Sequence, residues 1–180
     1  MKIQLLEMLG DWYKMVRLTK IYTKTGDKGT TALADNTRVQ KIDSVIEAIG
    51  AVDEANSAIG MIQGYDTLLN PIQNDLFDMG ADLSGSRVIR ISQMQINRLE
   101  EHIDELNKDL PILQSFILPK GDIHNARTVV RRAEREVWKL YEQQEINIHC
   151  PQYLNRLSDL LFVLARYNVP NDILWNIPRN

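Results

Sequence analysis

The chain has one cysteine, Cys150, among 180 residues. An internal disulfide is therefore excluded, and there is no cysteine spacing of the kind that ligates a metal. No apolar run is long enough to cross a bilayer. Charge of either sign is barely in excess: the formal net charge is −3 and the sequence pI about 5.6. A general binder of nucleic acid or of anionic membrane is thereby disfavoured, and any anion site has to be a local basic pocket. The Glu-x-x-His spacing of a di-iron bundle is missing at His102, His124 and His149. Internal repeats and low-complexity stretches are absent. The first residues lack the basic start, long apolar stretch and small-residue cleavage site of a secretory signal, so the expected location is cytoplasmic.

What is present is ordinary for a globular protein: 44% hydrophobic and 25% charged residues, enough for one domain with a substantial core. Residues 21–41 are rich in Thr, Gly, Lys and Asp, which suits loops and turns. Beyond them the apolar period is helical. A first helix is predicted over about residues 43–63, with Val45, Ile49, Val52, Ile59 and Ile62 facing inward. Asn70-Pro71 reads as an N-cap followed by proline at the first helical position. Its stripe is Ile72, Leu76, Met79 and Leu83. Ser92 and Gln95 have capping-box spacing and open a third helix. Residues 111–119 read as extended. A fourth helix is predicted over about residues 122–144, and a fifth from Pro151 to just before Pro170. No window reads as a strand. The predicted fold is all-α: a five-helix antiparallel bundle, ferritin-like in its up-down arrangement, preceded by a phosphate-binding N-terminal loop. Residues 1–20 form an N-terminal extension in which Leu5, Leu6, Leu9 and Trp12 suit a short amphipathic helix and Met15 an alternative start. Residues 21–170 form the single domain, and residues 171–180 a C-terminal tail.

Four segments carry candidate chemistry. HNARTVVRRAER, residues 124–135, puts His124, Arg127, Arg131 and Glu134 at steps of three or four on one helix face. Arginine forks there would hold carboxylates or phosphates in pairs. Read alone, the segment is more simply a solvated helix laced with salt bridges such as Arg132–Glu136. IYTKTGDKGTT, residues 21–31, has glycines that let backbone N–H groups converge on an anion, with Lys24 and Lys28 adding charge. It lacks the Walker pattern, and a plain turn is its simpler reading. AVDEANS, residues 51–57, sets Asp53 and Asn56 at the margin of a buried face, where a carboxylate needs a partner. YLNRLSD, residues 153–159, sets Asn155 and Ser158 on one face. That amide can read a base or ribose edge, or make an interhelical hydrogen bond.

In their order and spacing these segments resemble the trimeric, helical-bundle type of ATP:cob(I)alamin adenosyltransferase. The likeness runs over residues 21–166. It comprises TKTGDKGTT with Arg38 and Lys41, EAIGAVDEANSAIG, FILP, HNARTVVRRAER and YLNRLSDLLFVLAR. The resemblance implies transfer of the 5′-deoxyadenosyl group of ATP to cob(I)alamin, with triphosphate released and Mg²⁺ accompanying it. It implies that Thr23, Lys24, Thr25, Gly26, Asp27, Lys28, Thr30, Thr31, Arg38 and Lys41 wrap the phosphates. Arg131 would contact the triphosphate most directly, with Arg132, Glu134 and Arg135 beside it and Asn155 on the nucleoside. Asp53 and Arg127 would pair across a subunit boundary of a homotrimer. Phe116 would face the corrin as part of an apolar wall that disfavours the lower axial ligand. A reductase and an adenosylcobalamin-dependent enzyme would be further partners. No protein side chain is assigned to a metal.

Two departures from the family pattern stand out. Only Lys120, Gly121, Asp122 and Ile123 separate FILP from the arginine helix, where members usually have a longer glycine-rich loop. Ala55 stands where leucine is common. The short loop is what a non-catalytic nucleotide-binding bundle of the same fold would also show, whereas Phe116 argues for the enzyme.

Overall fold

The computed structural model describes residues 21–169 and 171–175. The amphipathic segment expected at Leu5 to Trp12, Met15, Pro170 and residues 176–180 lie outside the described residues. Two short strands, β1 (Thr30–Ala32) and β2 (Arg38–Gln40), precede five helices. These are α1 (Ser44–Ile59), α2 (Asp66–Leu83), α3 (Gln93–Asn107), α4 (Gly121–Gln143) and α5 (His149–Tyr167). The five-helix bundle is as expected. The absence of strands was not: β1 and β2 pair antiparallel, with Thr31 opposite Val39. Asp35 makes the turn between them, accepting from Thr37 N at 2.8 Å, and Asn36 adopts φ 68°. Three-residue strands are too short for alternation to register in a sequence.

The helices pack as they do because their buried positions repeat at alternating steps of three and four. In α4 these are Ile123, Ala126, Val130, Ala133, Val137 and Leu140. In α1 they are Val45, Ala48, Val52, Ala55 and Ile59. That spacing makes a narrow seam suited to knobs-into-holes packing. Both seams alternate small and large side chains, so α1 and α4 interdigitate at close range. α4 also packs on α5, α5 on α3, and α1 on α2. Ala55 is fully buried in the α1 seam.

Three helix starts differ from expectation. α2 begins at Asp66 with Tyr65 as N-cap, so Pro71 lies inside the helix. Leu68 N and Leu69 N already bond to Tyr65 O, and the helix tolerates the one missing donor of Pro71. α5 begins at His149, two residues before Pro151; proline is compatible with a first turn, so it did not mark the boundary. α4 begins one residue early, where Gly121 at φ 78° makes the corner after Pro119. At α3 the Ser92–Gln95 capping box is present as expected.

Buried polar groups fasten the periphery. The Asp82 side chain, 1% exposed, accepts from Arg90 N, Ile91 N and the Asn147 amide, each at 3.0 Å. One carboxylate thus ties the α2–α3 connection to the start of α5. Asp75 accepts from the buried Tyr153 hydroxyl at 2.7 Å and pairs with Arg98. Arg166, buried on α5, bonds Asp172 at 3.0 Å and Pro111 O at 2.7 Å. It thereby holds residues 171–175 against the 111–119 segment.

Replacing Asp82 with alanine strands two backbone donors and an amide. The expected loss is about 3 kcal/mol of unfolding free energy in urea titration. Glu105→Ala, which breaks only an exposed pair with Lys108, should cost less than about 1 kcal/mol.

Candidate functional site

The N-terminal loop is closed by its own side chains. Lys24 adopts φ 60° and Gly29 φ 80°, and Gly29 N returns to Gly26 O at 3.1 Å. The Arg38 guanidinium donates to Thr25 O at 3.0 Å and to the Thr30 hydroxyl. Lys41 lies so near Gly26 that an added Cβ would stand 3.1 Å from its Nζ. The Lys41 ammonium thus lies over the loop at Gly26. The Thr23 and Thr25 hydroxyls lie 2.9 Å apart, and Asp27 N reaches back to Lys24 O. Lys28 is exposed. Thr31 and Lys41 then open onto a cavity of about 780 Å³ between the hairpin, α1 and α2, which Asp53 also lines. Asp53 is exposed at that cavity, and no ion pair joins it to another described residue. Asn56 is buried and bonded to Gln73 of α2, its amide donating to Gln73 O at 3.1 Å. Its Oδ1 is left without a partner.

α4 carries the second group. Its seam faces the core, which turns Arg131 and Arg135 to solvent and leaves Arg127, Arg132 and Glu134 half-buried. Arg135 donates to the Arg131 carbonyl at 3.0 Å. Arg132 pairs with Glu54 of α1, not with Glu136 as the salt-bridge reading had it; Glu136 pairs with Lys139 at 2.8 Å. Arg127 has an Nε without a partner and a guanidinium 6.0 Å from the Phe162 ring. Burial, and then the Arg131 charge, lower its pKa from the ordinary guanidinium value. Two cations thus confront each other with no carboxylate of the described chain between them. Such a pair favours an added anion. His124 is buried beneath, edge-on to Phe162 at 6.2 Å. Burial and the Arg127 charge hold its pKa below the usual imidazole value, with Asp172 opposing.

Phe116 is exposed, 78% by area, at a cavity of about 610 Å³ lined also by Arg127, Phe162 and Trp175. Its strand-like segment is held by the chain's later residues. Trp175 N donates to Phe116 O at 2.7 Å, Ile117 bridges Leu174, and the two rings stand 6.2 Å apart. The expected C-terminal tail is therefore, over 171–175, part of this wall. Asn155 donates to the Glu134 carboxylate at 3.2 Å, and Ser158 is turned to the Asn155 carbonyl at 2.9 Å.

One chain thus assembles an N-terminal-loop group with Asp53 and a separate Arg127–Phe116 group, with Glu134–Asn155 further along α4. No hydrogen bond, ion pair or cavity among the described residues joins Arg131 or Arg127 to Lys41 or Asp53. Sequence reasoning missed Glu54, Phe162 and Trp175. Phe162 stands seven residues after Asn155, two helical turns along the same face, and could have been found. Trp175 lies beyond any periodic segment and gives no signal.

The Cobalamin adenosyltransferase family model matches residues 21–168. A corrinoid adenosyltransferase of Mycobacterium leprae is 46% identical, over 89% of this chain and 97% of that protein. One of Bacillus subtilis is 40% identical, over 82% and 85%. Among solved structures, a variant PduO-type ATP:corrinoid adenosyltransferase from Lactobacillus reuteri, complexed with cobalamin and ATP, superposes with a TM-score of 0.83. It is 36% identical and covers 88% of this chain and 100% of that one.

Proposed function

The chain belongs to the cobalamin adenosyltransferase family, and from that membership we infer how its residues work as a corrinoid adenosyltransferase. The reaction transfers the 5′-deoxyadenosyl group of ATP to cob(I)alamin. The reduced cobalt supplies an electron pair to C5′. A cobalt–carbon bond forms as the C5′–O bond breaks, and that electron pair leaves on the triphosphate. The nucleophile belongs to the substrate, so the protein needs no activated serine, cysteine or histidine. Its task is to hold two ligands in line and to stabilise a polyanionic leaving group.

The observation that carries the reading is Arg127 lining the Phe116 cavity with its Nε unpartnered, with Arg131 one helical turn on and exposed. Arg131, exposed and without an ion pair among the described residues, takes the triphosphate, with Arg135 alongside. Arg132, tied to Glu54, positions α4. Thr23, Lys24, Thr25, Gly26, Asp27, Lys28, Thr30, Thr31 and Lys41 wrap the phosphates, and Arg38 braces that loop. Mg²⁺ would accompany the nucleotide, held largely by phosphate oxygens and water, where it would offset phosphate charge. Glu134 and Asn155 take the nucleoside. Phe116 forms the apolar wall against the corrin, with Phe162 and Trp175 behind it.

The separation of the N-terminal loop from the arginines within one chain supports an assembly, the homotrimer of the family resemblance, in which Asp53 of one subunit meets Arg127 of the next. Single charge reversals, Asp53→Arg or Arg127→Asp, should shift light scattering from trimer to monomer. The double reversal should restore the trimer, provided the pair is direct. A stable monomer that binds ATP with wild-type affinity would overturn the assembly.

Cobalt–carbon bond formation, followed spectroscopically from ATP and chemically reduced cobalamin, tests the chemistry. Arg131→Lys should lower turnover by about 100-fold or more with folding intact, because lysine cannot form the bidentate fork. Normal turnover would make the α4 arginines structural.

Phe116→Ala should spare ATP affinity and cut adenosylation sharply when cobalamin starts as Co(II). From Co(I), which has already lost its lower ligand, the defect should be milder. Equal losses from both states would remove Phe116 from the corrin wall.

A further inference from the structure

Residues 111–119 and 171–175 carry Phe116 and Trp175, and neither stretch has a core to hold it. No residue of either stretch is buried, and Ile112, Phe116, Leu118, Ile173 and Trp175 all stand well exposed. The two stretches hold each other by a narrow antiparallel pairing. Leu118 N donates to Ile173 O at 2.8 Å and Trp175 N to Phe116 O at 2.7 Å. The Ser115 hydroxyl donates to Trp175 O at 3.0 Å. A two-stranded pairing is marginal in water by itself, so its place on the bundle depends on what ties it to a helix.

Arg166 makes that tie. It stands in the last turn of α5 with its side chain 5% exposed. Its Nε donates to Asp172 at 3.0 Å, and a terminal nitrogen donates to Pro111 O at 2.7 Å. One guanidinium thus grips the first residue of one stretch and the second residue of the other. The planar fork can do this because its donors point in fixed, divergent directions. Asp172 Oδ1 has no partner, and Arg166 is the one ion-pair partner of Asp172 among the described residues. A cavity of about 380 Å³ adjoins the pair, lined by Pro111, Ile112 and Leu174, so close packing does not duplicate its hold. Removing either partner leaves the other charge buried and uncompensated, so one substitution at either end breaks the contact.

We propose that Arg166 and Asp172 are positioning residues for the adenosyl transfer: acting through the strap of residues 171–175, they hold the Phe116 ring at its cavity. The inference rests on the corrin-wall role given to Phe116 above. Asp172→Ala, which alters no helix, tests it in the full-length protein. Hydrogen exchange at the Leu118 and Trp175 amides should quicken about tenfold or more, the worth of one lost charge-assisted hydrogen bond. Amides of α4 should exchange as in wild type. Adenosylation should fall several-fold when cobalamin starts as Co(II), with a smaller loss from Co(I) and ATP affinity unchanged. In a Phe116→Ala background the same substitution should lower turnover little further, because its route to the reaction runs through that ring. Asp172→Asn, which keeps an acceptor for Arg166, should fall between wild type and Asp172→Ala in both exchange and turnover. Wild-type exchange at both amides, equal losses from the two cobalt states, or a loss that adds in full to that of Phe116→Ala would overturn the positioning role. A wild type that forms no cobalt–carbon bond would overturn the enzyme reading instead, and the exchange measurement, which needs no cobalamin, would still decide the tie.

Discussion

The seating of α4 between α1 and α5 governs everything else in this molecule. One face of α4 is a seam of fully or nearly fully buried residues, Ala126, Val130, Ala133, Val137 and Leu140. Fully burying a valine or leucine stabilises by roughly 1.5–3 kcal/mol, so the helix has one energetically acceptable rotation. That rotation fixes where Arg127, Arg131, Glu134 and Trp138 point. The alanines in the α1 and α4 seams let the two backbones approach closely, so the arginine face is backed by a stiff support. A polyanion-stabilising site gains from such stiffness, because donors already in place need no rearrangement as charge develops.

Much of this was legible in the residues. Periodicity located five helices because their seams repeat over four or more turns, and the Ser92–Gln95 spacing marked one start accurately. The short hairpin escaped because three residues cannot display a period. Pro71 misled because proline at a helix start and proline one turn inside read alike from sequence alone. On α4 the arginine pattern was readable, yet its pairing was not. Arg132 chose Glu54, 78 positions away on another helix, over Glu136 four positions ahead. Local spacing proposes partners, while packing of separate helices decides among them. The Phe116 segment was recognised by its motif, but Trp175, one of the two rings behind it, comes from a stretch with no pattern at all.

The functional groups are distributed by chemistry along the bundle. The Phe116 end is apolar, with Phe162, Ile117 and Trp175 around Arg127. The middle of α4 is cationic at Arg131 and Arg135. Further on, amides and a carboxylate gather at Glu134, Asn155 and Gln152 beside Trp138. The three zones differ in chemistry along one helix: apolar, then cationic, then amide-rich. The hairpin and its loop stand apart, held by Arg38 and Lys41 and attached to α1 rather than α4.

The strap formed by residues 171–175 has a bearing on how the molecule can vary over evolutionary time. Its hold on the Phe116 segment includes two backbone hydrogen bonds, Leu118 N to Ile173 O and Trp175 N to Phe116 O, beside the Ser115 hydroxyl donating to Trp175 O and Arg166 as the anchor. Main-chain bonds of this kind are indifferent to side-chain identity. The rings at the Phe116 end can therefore change while the register of the two segments is kept. The arginine face of α4 has no such latitude, because its geometry is set by the core seam of that helix. The two ends of this face are consequently free to diversify at different rates.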